Sequence, residues 1–180
     1  MTGQSPDRTV ALVGLVLFVV CLLAAIFQFF GGAGLRINAS PSLPMGLYIV
    51  SDSLDANLVE FCPPEPFANL AIVRGWRAVG NCPDGAAPLL KPIAAHSGDV
   101  VEMSARGMAV NGRLLPNTAP LTRDSKGRPL KPWTFGRYSL GPDTVWVASS
   151  YNAQSFDSRY FGPVPVTAIR DHLRPLLTAQ

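Results

Sequence analysis

From Val10 to Phe30 the chain runs for 21 residues without a charge, and Gln28 is the one strongly polar side chain among them. Wound as an α-helix, at about 1.5 Å per residue, this run spans about 30 Å, the hydrocarbon thickness of a bilayer. It is apolar all round, unlike a helix that covers a soluble core with one face. The pattern predicts a transmembrane anchor over residues 10–34, a short tail 1–9 before it and a domain 35–180 after it. A cleavable signal peptide is the alternative. Its apolar region is about 7–15 residues and closes on a small-x-small site, for which Gly31-Gly32-Ala33-Gly34 is a poor candidate. Arg8 and the free amine against Asp7 favour a cytoplasmic tail.

After the anchor the pattern changes to short extended runs. A glycine-rich exit leads through INASPSLPMGLYIV into a strand, and Asn57 to Phe61 reads as a second. Leu89 to Ala95 is apolar and strand-like except for Lys91. Gly98-Asp99 reads as a turn, and Asp99 to Ser104 alternates as a strand does. Asn111-Gly112 between apolar residues is a two-residue hairpin signal, because both positions tolerate positive φ. A polar excursion fills 116–132. Trp133 to Leu140, Thr144 to Ser149 and Val164 to Ile169 read as further strands, the last followed by a short tail. Residues 62–88 hold Pro63, Pro64, Pro66, Pro83 and Pro88 and read as an inserted subdomain or lid, pinned by Cys62 and Cys82. The expected fold is therefore mostly β: an antiparallel, partly open barrel or pair of sheets behind one N-terminal helix.

Composition adds little and removes some options. Gly 16 and Pro 17 suit short strands and many turns. About 145 residues outside the anchor suffice for one domain with a core. A net charge of +3 is too small to argue for nucleic acid. Cys62 and Cys82 fit no zinc spacing; in an oxidising compartment they would close a loop of about 20 residues, contributing on the order of 3 kcal/mol. Two unpaired thiols are the alternative. Cys21 reads as a small buried apolar residue of the anchor. No metal-ligand cluster, phosphate loop or dinucleotide fingerprint is visible, so neither metal nor cofactor is expected.

Three segments can carry chemistry. In Ser40-Pro41-Ser42-Leu43-Pro44 the prolines push Ser40 and Leu43 into extended backbone and hold Ser42 on a stiff segment; taken alone, the segment also suits a Pro/Ser linker. Lys91 sits amid an apolar strand. An ordinary lysine, with a pKa near 10.4, has about one amine in 2,500 neutral at pH 7. Burial lowers that value, and a neutral amine can take a serine's proton; an exposed edge strand is the alternative. Asp157 and Arg159, two apart in Ser155-Phe156-Asp157-Ser158-Arg159-Tyr160, fall on one side of an extended backbone and can pair, or form a solvated turn. A Ser-His-Asp protease needs a histidine near its serine, and the chain has His96, near a turn, and His172, in the tail.

Taken in order, these elements resemble the type I signal peptidases: Ser-x-Pro just after an anchor, an apolar lysine strand ending in Gly-Asp, an Asn-Gly hairpin, then Ser-x-Asp-Ser-Arg-Tyr-x-Gly. The resemblance covers roughly residues 36 to 170. Asn38-x-Ser40-x-Ser42-x-Pro44-x-Gly46-Leu47-Tyr48, Gly80-Asn81-Cys82 before Pro88-Leu89-Leu90-Lys91, and Asp124-x-x-Gly127-Arg128-Pro129-Leu130 resemble its conjugal-transfer branch, the TraF-type pilin maturation peptidases. The resemblance implies a mostly β Ser-Lys protease on the outer face of the bacterial inner membrane, a single-pass protein with its catalytic domain in the periplasm. Ser42 would be the nucleophile and Lys91 the general base. Asp157 would be the required acid of its box, and the Ser40 hydroxyl with the Ser42 N–H the oxyanion donors. Ser158, Arg159, Gly98 and Asp99 would give structural support. The implied partners are a membrane-bound pilin or pre-protein, membrane lipids, and components of a conjugation or type IV secretion channel. One departure is Pro92, where general signal peptidases often carry an arginine facing the acid. A general signal peptidase, a non-enzymatic anchored assembly factor and a thiol-dependent role for the cysteines are the competing readings.

Overall fold

A computed structural model describes residues 8–32, 34–53 and 56–179. Most of the predicted tail, residues 1–7, lies outside the described residues. Helix α1 (Arg8–Gly32) includes the last charge before the apolar run and continues through two of the glycines that the sequence suggests as an exit. Its apolar window, Arg8–Ile26, is exposed along its length among the described residues and is long enough and apolar enough to cross a membrane.

The strands are β1 (Leu35–Asn38), β2 (Gly46–Val50), β3 (Leu58–Phe61), β4 (Leu89–Ala95), β5 (Val100–Ser104), β6 (Gly107–Val110), β7 (Arg113–Leu114), β8 (Gly136–Ser139), β9 (Thr144–Val147), β10 (Val164–Pro165) and β11 (Ile169–Thr178). They form two antiparallel sheets, not a closed barrel. One has the order β1-β2-β11-β3-β4-β9-β10 and the other β7-β6-β5-β8. Asn111 and Gly112 turn β6 into β7 with φ of 50° and 82°, as their sequence predicts. Alternation along β9 divides the core: Val145 and Val147 pack with Val59, Phe61, Ile93 and Val164, while Trp146 packs with Ala95, Val101 and Met108.

The single strand expected over Val164 to Ile169 and the short tail after it give way to another arrangement: β10 stops at Pro165, Val166–Ala168 form a 3-10 turn, and residues 169–178 form the longest strand among the described residues, inserted between β2 and β3. Its pattern hides it. Arg170, His172, Arg174 and Leu176 are exposed, Leu173 is the one buried side chain, and Pro175 marks a register shift. Strand pairing supplies what alternation does not, and proline is tolerated at such a bulge.

Between β3 and β4 the chain leaves the sheet. It forms α2 (Phe67–Val73), and Cys62 is disulfide-bonded to Cys82 across a Cα–Cα distance of 5.8 Å. Asp124, from the polar excursion, binds both Arg74 (3.1 Å) and Arg128 (2.7 Å), tying residues 62–88 to the excursion. Helix α3 (Ser158–Phe161) ends at Gly162, whose positive φ and closeness to the Trp133 ring leave no room for a Cβ.

Candidate active site

Lys91 is placed by alternation. On β4 the residues facing the interior are Lys91, Ile93 and Ala95, so the amine shares the buried face with two apolar side chains and is 4% exposed. Burial pulls its pKa down from 10.5 to about 8; the carboxylate of Asp157 pulls it back up and the guanidinium of Arg159 pushes it further down. At pH 7 about one amine in ten is then neutral, against one in thousands for an ordinary lysine.

The opposing loop, between β1 and β2, is fixed by one side chain. Buried Asn38 donates its Nδ2 to the carbonyls of Ser40 (3.1 Å), Leu43 (3.3 Å) and Pro44 (3.1 Å), and its Oδ1 accepts the Ser40 N–H (3.1 Å). The Tyr48 hydroxyl holds the Pro44 carbonyl at 2.7 Å. Sequence spacing includes Asn38 but does not reveal this work. The loop presents Ser42, 6% exposed, directly to Lys91, whose Nζ donates to the Ser42 Oγ at 2.6 Å. The Ser40 Oγ lies 2.7 Å from the Ser42 Oγ, and the Ser42 N–H points at the Ser40 hydroxyl at 3.4 Å. The two predicted oxyanion donors are thus side by side at the alcohol.

Asp157 and Arg159 are both fully buried and pair through two bonds of 2.8 Å. The pairing is as expected, but only Asp157 keeps an extended backbone, and Ser158 and Arg159 turn into α3. Asp157 caps α3 by accepting the Arg159 N–H, as aspartate does at a helix start. Arg159 also binds the carbonyls of Asn117 (2.9 Å), Ala153 (3.0 Å) and Ser155 (3.0 Å). It supplies from the same box the charge that Pro92 cannot. The Ser158 Oγ accepts the Val147 N–H at 3.0 Å, joining α3 to β9. Gly98 and Asp99 are not at the site. Asp99 accepts the His96 N–H (2.8 Å) and the Asn111 Nδ2 (2.7 Å), which joins the β4–β5 turn to the hairpin and lowers its pKa.

A cavity of about 740 Å³ opens over the serine and lysine, lined among others by Ser40, Trp76, Phe156 and Ser155. Among the described residues the Ser155 Oγ, which lines this cavity, is buried without a hydrogen-bond partner. Among the described residues no group of three His, Cys, Asp or Glu side chains could hold a metal. A partly neutral amine against an alcohol, with two further donors beside it, is equipped for nucleophilic attack on a carbonyl.

Residues 8–175 match the signal peptidase family, peptidase S26, and the chain belongs to that family. Within it the chain is similar to conjugal-transfer proteins. It is 38% identical over 165 residues to plasmid transfer protein TraF of Escherichia coli, covering 89% of this chain and 93% of that protein. It is 38% identical over 174 residues to a probable conjugal transfer protein TraF of Sinorhizobium fredii, covering 93% and 89%. With conjugal transfer protein TraF of Agrobacterium fabrum the identity is 33% over 183 residues, covering 99% and 98%. A solved signal peptidase I from Enterococcus faecalis V583 is similar over 69% of this chain and 99% of that one, at 15% identity and a TM-score of 0.38.

Proposed function

We propose that this chain is a membrane-anchored serine endopeptidase with a Ser42–Lys91 dyad that processes an exported precursor, the pilin of a conjugation system. The contact of 2.6 Å between the Lys91 Nζ and the Ser42 Oγ, made inside a cavity by an amine with a depressed pKa, carries this reading. The Ser42 Oγ attacks the scissile carbonyl while Lys91 takes its proton; the tetrahedral oxyanion is held by the Ser40 hydroxyl and the Ser42 N–H; Lys91 then passes the proton to the leaving amine. The names of the similar proteins favour a role in conjugal transfer. The disulfide and the apolar helix favour an outward-facing domain on the inner membrane, where thiols oxidise. About a dozen residues separate the end of the apolar run from Ser42, roughly 40 Å if fully extended, so the serine works close to the bilayer.

The acyl-enzyme can be resolved by water or by an amine of the pilin itself, the latter closing a ring. The test is processing of the pilin precursor by full-length protein in its membrane. Ser42→Ala and Lys91→Ala are each expected to abolish it, and normal processing by both would refute the dyad. Mass spectrometry of the product separates the two acceptors, since cyclisation leaves a mass one water below the trimmed linear chain.

A further inference from the structure

The buried Asp157–Arg159 pair is expensive to hold away from water, and its route to the reacting atoms runs through a residue outside the signature motifs. The Asp157 Oδ2 accepts the Ser149 N–H at 3.1 Å. Ser149, fully buried just after β9, donates its hydroxyl to the main-chain carbonyl of Ser42 and accepts the Tyr151 N–H at 3.1 Å. One hydroxyl thus uses its single donor on Ser42 and a lone pair on its own turn. The result is an unbroken chain of contacts: Arg159, Asp157, Ser149, Ser42. Asn38 and Ser40 fix the loop from its N-terminal side. The carbonyl of Ser42 sets ψ at that residue, and Ser149 is what grips it.

Resting on the dyad reading above, we propose that Ser149 is a positioning residue: through it the buried Asp157–Arg159 pair fixes the Ser42 backbone, and with it the aim of the Ser42 Oγ at Lys91. Ser149 does not line the cavity over the dyad, and its hydroxyl is engaged by the Ser42 carbonyl and the Tyr151 N–H. Its removal should therefore misplace the alcohol without altering the basicity of Lys91 or the lining of the cavity. Misplacement on the scale of 1 Å costs about 100-fold in rate.

The experiment uses full-length protein in lipid nanodiscs turning over the membrane-bound pilin precursor, with kcat, KM and the pH profile measured separately. Ser149→Ala is expected to lower kcat about 10- to 100-fold, leave KM within about twofold and leave the acid limb centred near pH 8. Ser149→Thr, which keeps the hydroxyl, is expected to recover most of kcat. Thr118→Val is the matched control. Thr118 is also fully buried, donates to the Leu115 carbonyl and accepts the Met108 N–H, but lies in the loop after β7, held to β6 of the other sheet. It should lose comparable thermal stability with kcat unchanged below its melting temperature. Full kcat in Ser149→Ala would overturn the proposal, as would an equal loss in Thr118→Val. A displaced pH midpoint would overturn it by placing the effect on Lys91, and so would a stable Thr variant as poor as Ala. The parent reading fails separately: precursor processing by Ser42→Ala removes the dyad, whereas an inactive Ser42→Ala beside a fully active Ser149→Ala removes only the role of Ser149.

Discussion

Lys91 makes the sharpest demand on the protein, and its cost can be worked from burial. Its pKa falls from 10.5 in the open chain to about 8 in the fold; at about 1.4 kcal/mol per unit this is about 3 kcal/mol against the charged folded state. The sign follows from proton counts. Between pH 8 and 10.5 the unfolded chain binds more protons than the folded one, so stability rises with pH through that window, and below pH 8 the full penalty applies. Lys91→Met keeps the bulk and removes the charge, at the loss of one hydrogen bond to Ser42, worth about 1 kcal/mol. The variant is expected to be more stable than the parent at pH 7 by about 2 kcal/mol. Its advantage should shrink as pH climbs from 8 towards 10.5, read from urea midpoints of full-length protein in detergent. The same substitution should abolish processing. In the parent, kcat/KM should rise about tenfold per unit up to about pH 8 and then level, because it tracks the neutral amine. A Lys91→Met variant less stable than the parent at pH 7, or a rate profile flat from pH 6 to 9, would refute the claim that a buried, depressed lysine is the base.

Asp157→Asn removes the main upward pull on Lys91 and leaves the downward pull of Arg159. The acid limb of the rate profile should therefore move below pH 8, whatever happens to the maximum rate. Cys62→Ser with Cys82→Ser opens a loop with a sequence separation of 20 and should cost about 3 kcal/mol of stability, seen as a lower melting temperature. Activity well below that temperature should persist; its loss with the fold intact would favour a thiol-dependent role.

What the sequence reveals depends on whether the signal is local. The long apolar helix shows because twenty-one uncharged residues have few other uses. Lys91 shows because it interrupts an apolar strand, and β4 runs over the residues that the pattern marks, Leu89–Ala95. The hairpin at Asn111-Gly112 shows because its backbone demands those residues. Ser149 and Asn38 stay hidden because a serine or asparagine bonded to a distant carbonyl is indistinguishable in sequence from one in a solvated turn. The family resemblance carries Asn38, Ser155 and Asp157 as letters at fixed spacings; only coordinates say that one amide organises the serine loop and that the carboxylate reaches it through Ser149. Residues 62–88, read as an insertion from their prolines, include α2, whose seven residues Phe67–Val73 are too few for a 3.6-residue period to stand out.

The strand hardest to read is also the one on which the site depends. Ser42 is carried by the β1–β2 hairpin and Lys91 by the β3–β4 pair. In the sheet these two units do not bond to each other; β11 lies between them, pairing with β2 along one edge and with β3 along the other. The separation of serine and amine is therefore set by the register of the last strand in the chain, within which Pro175 and its register shift stand beside Tyr48 and Leu47, on the strand that leaves the serine loop. Arg36 spans the same gap, reaching from β1 to Glu60 on β3 (2.6 Å) and Asp171 on β11 (2.9 Å). Ser149 closes it from the opposite side of the loop. A contact of 2.6 Å between groups 49 residues apart thus rests on a strand, an ion triad and a buried hydroxyl. Of these, the strand is the shared support, because it supplies Asp171 to the triad and pairs with β2 along one edge and β3 along the other.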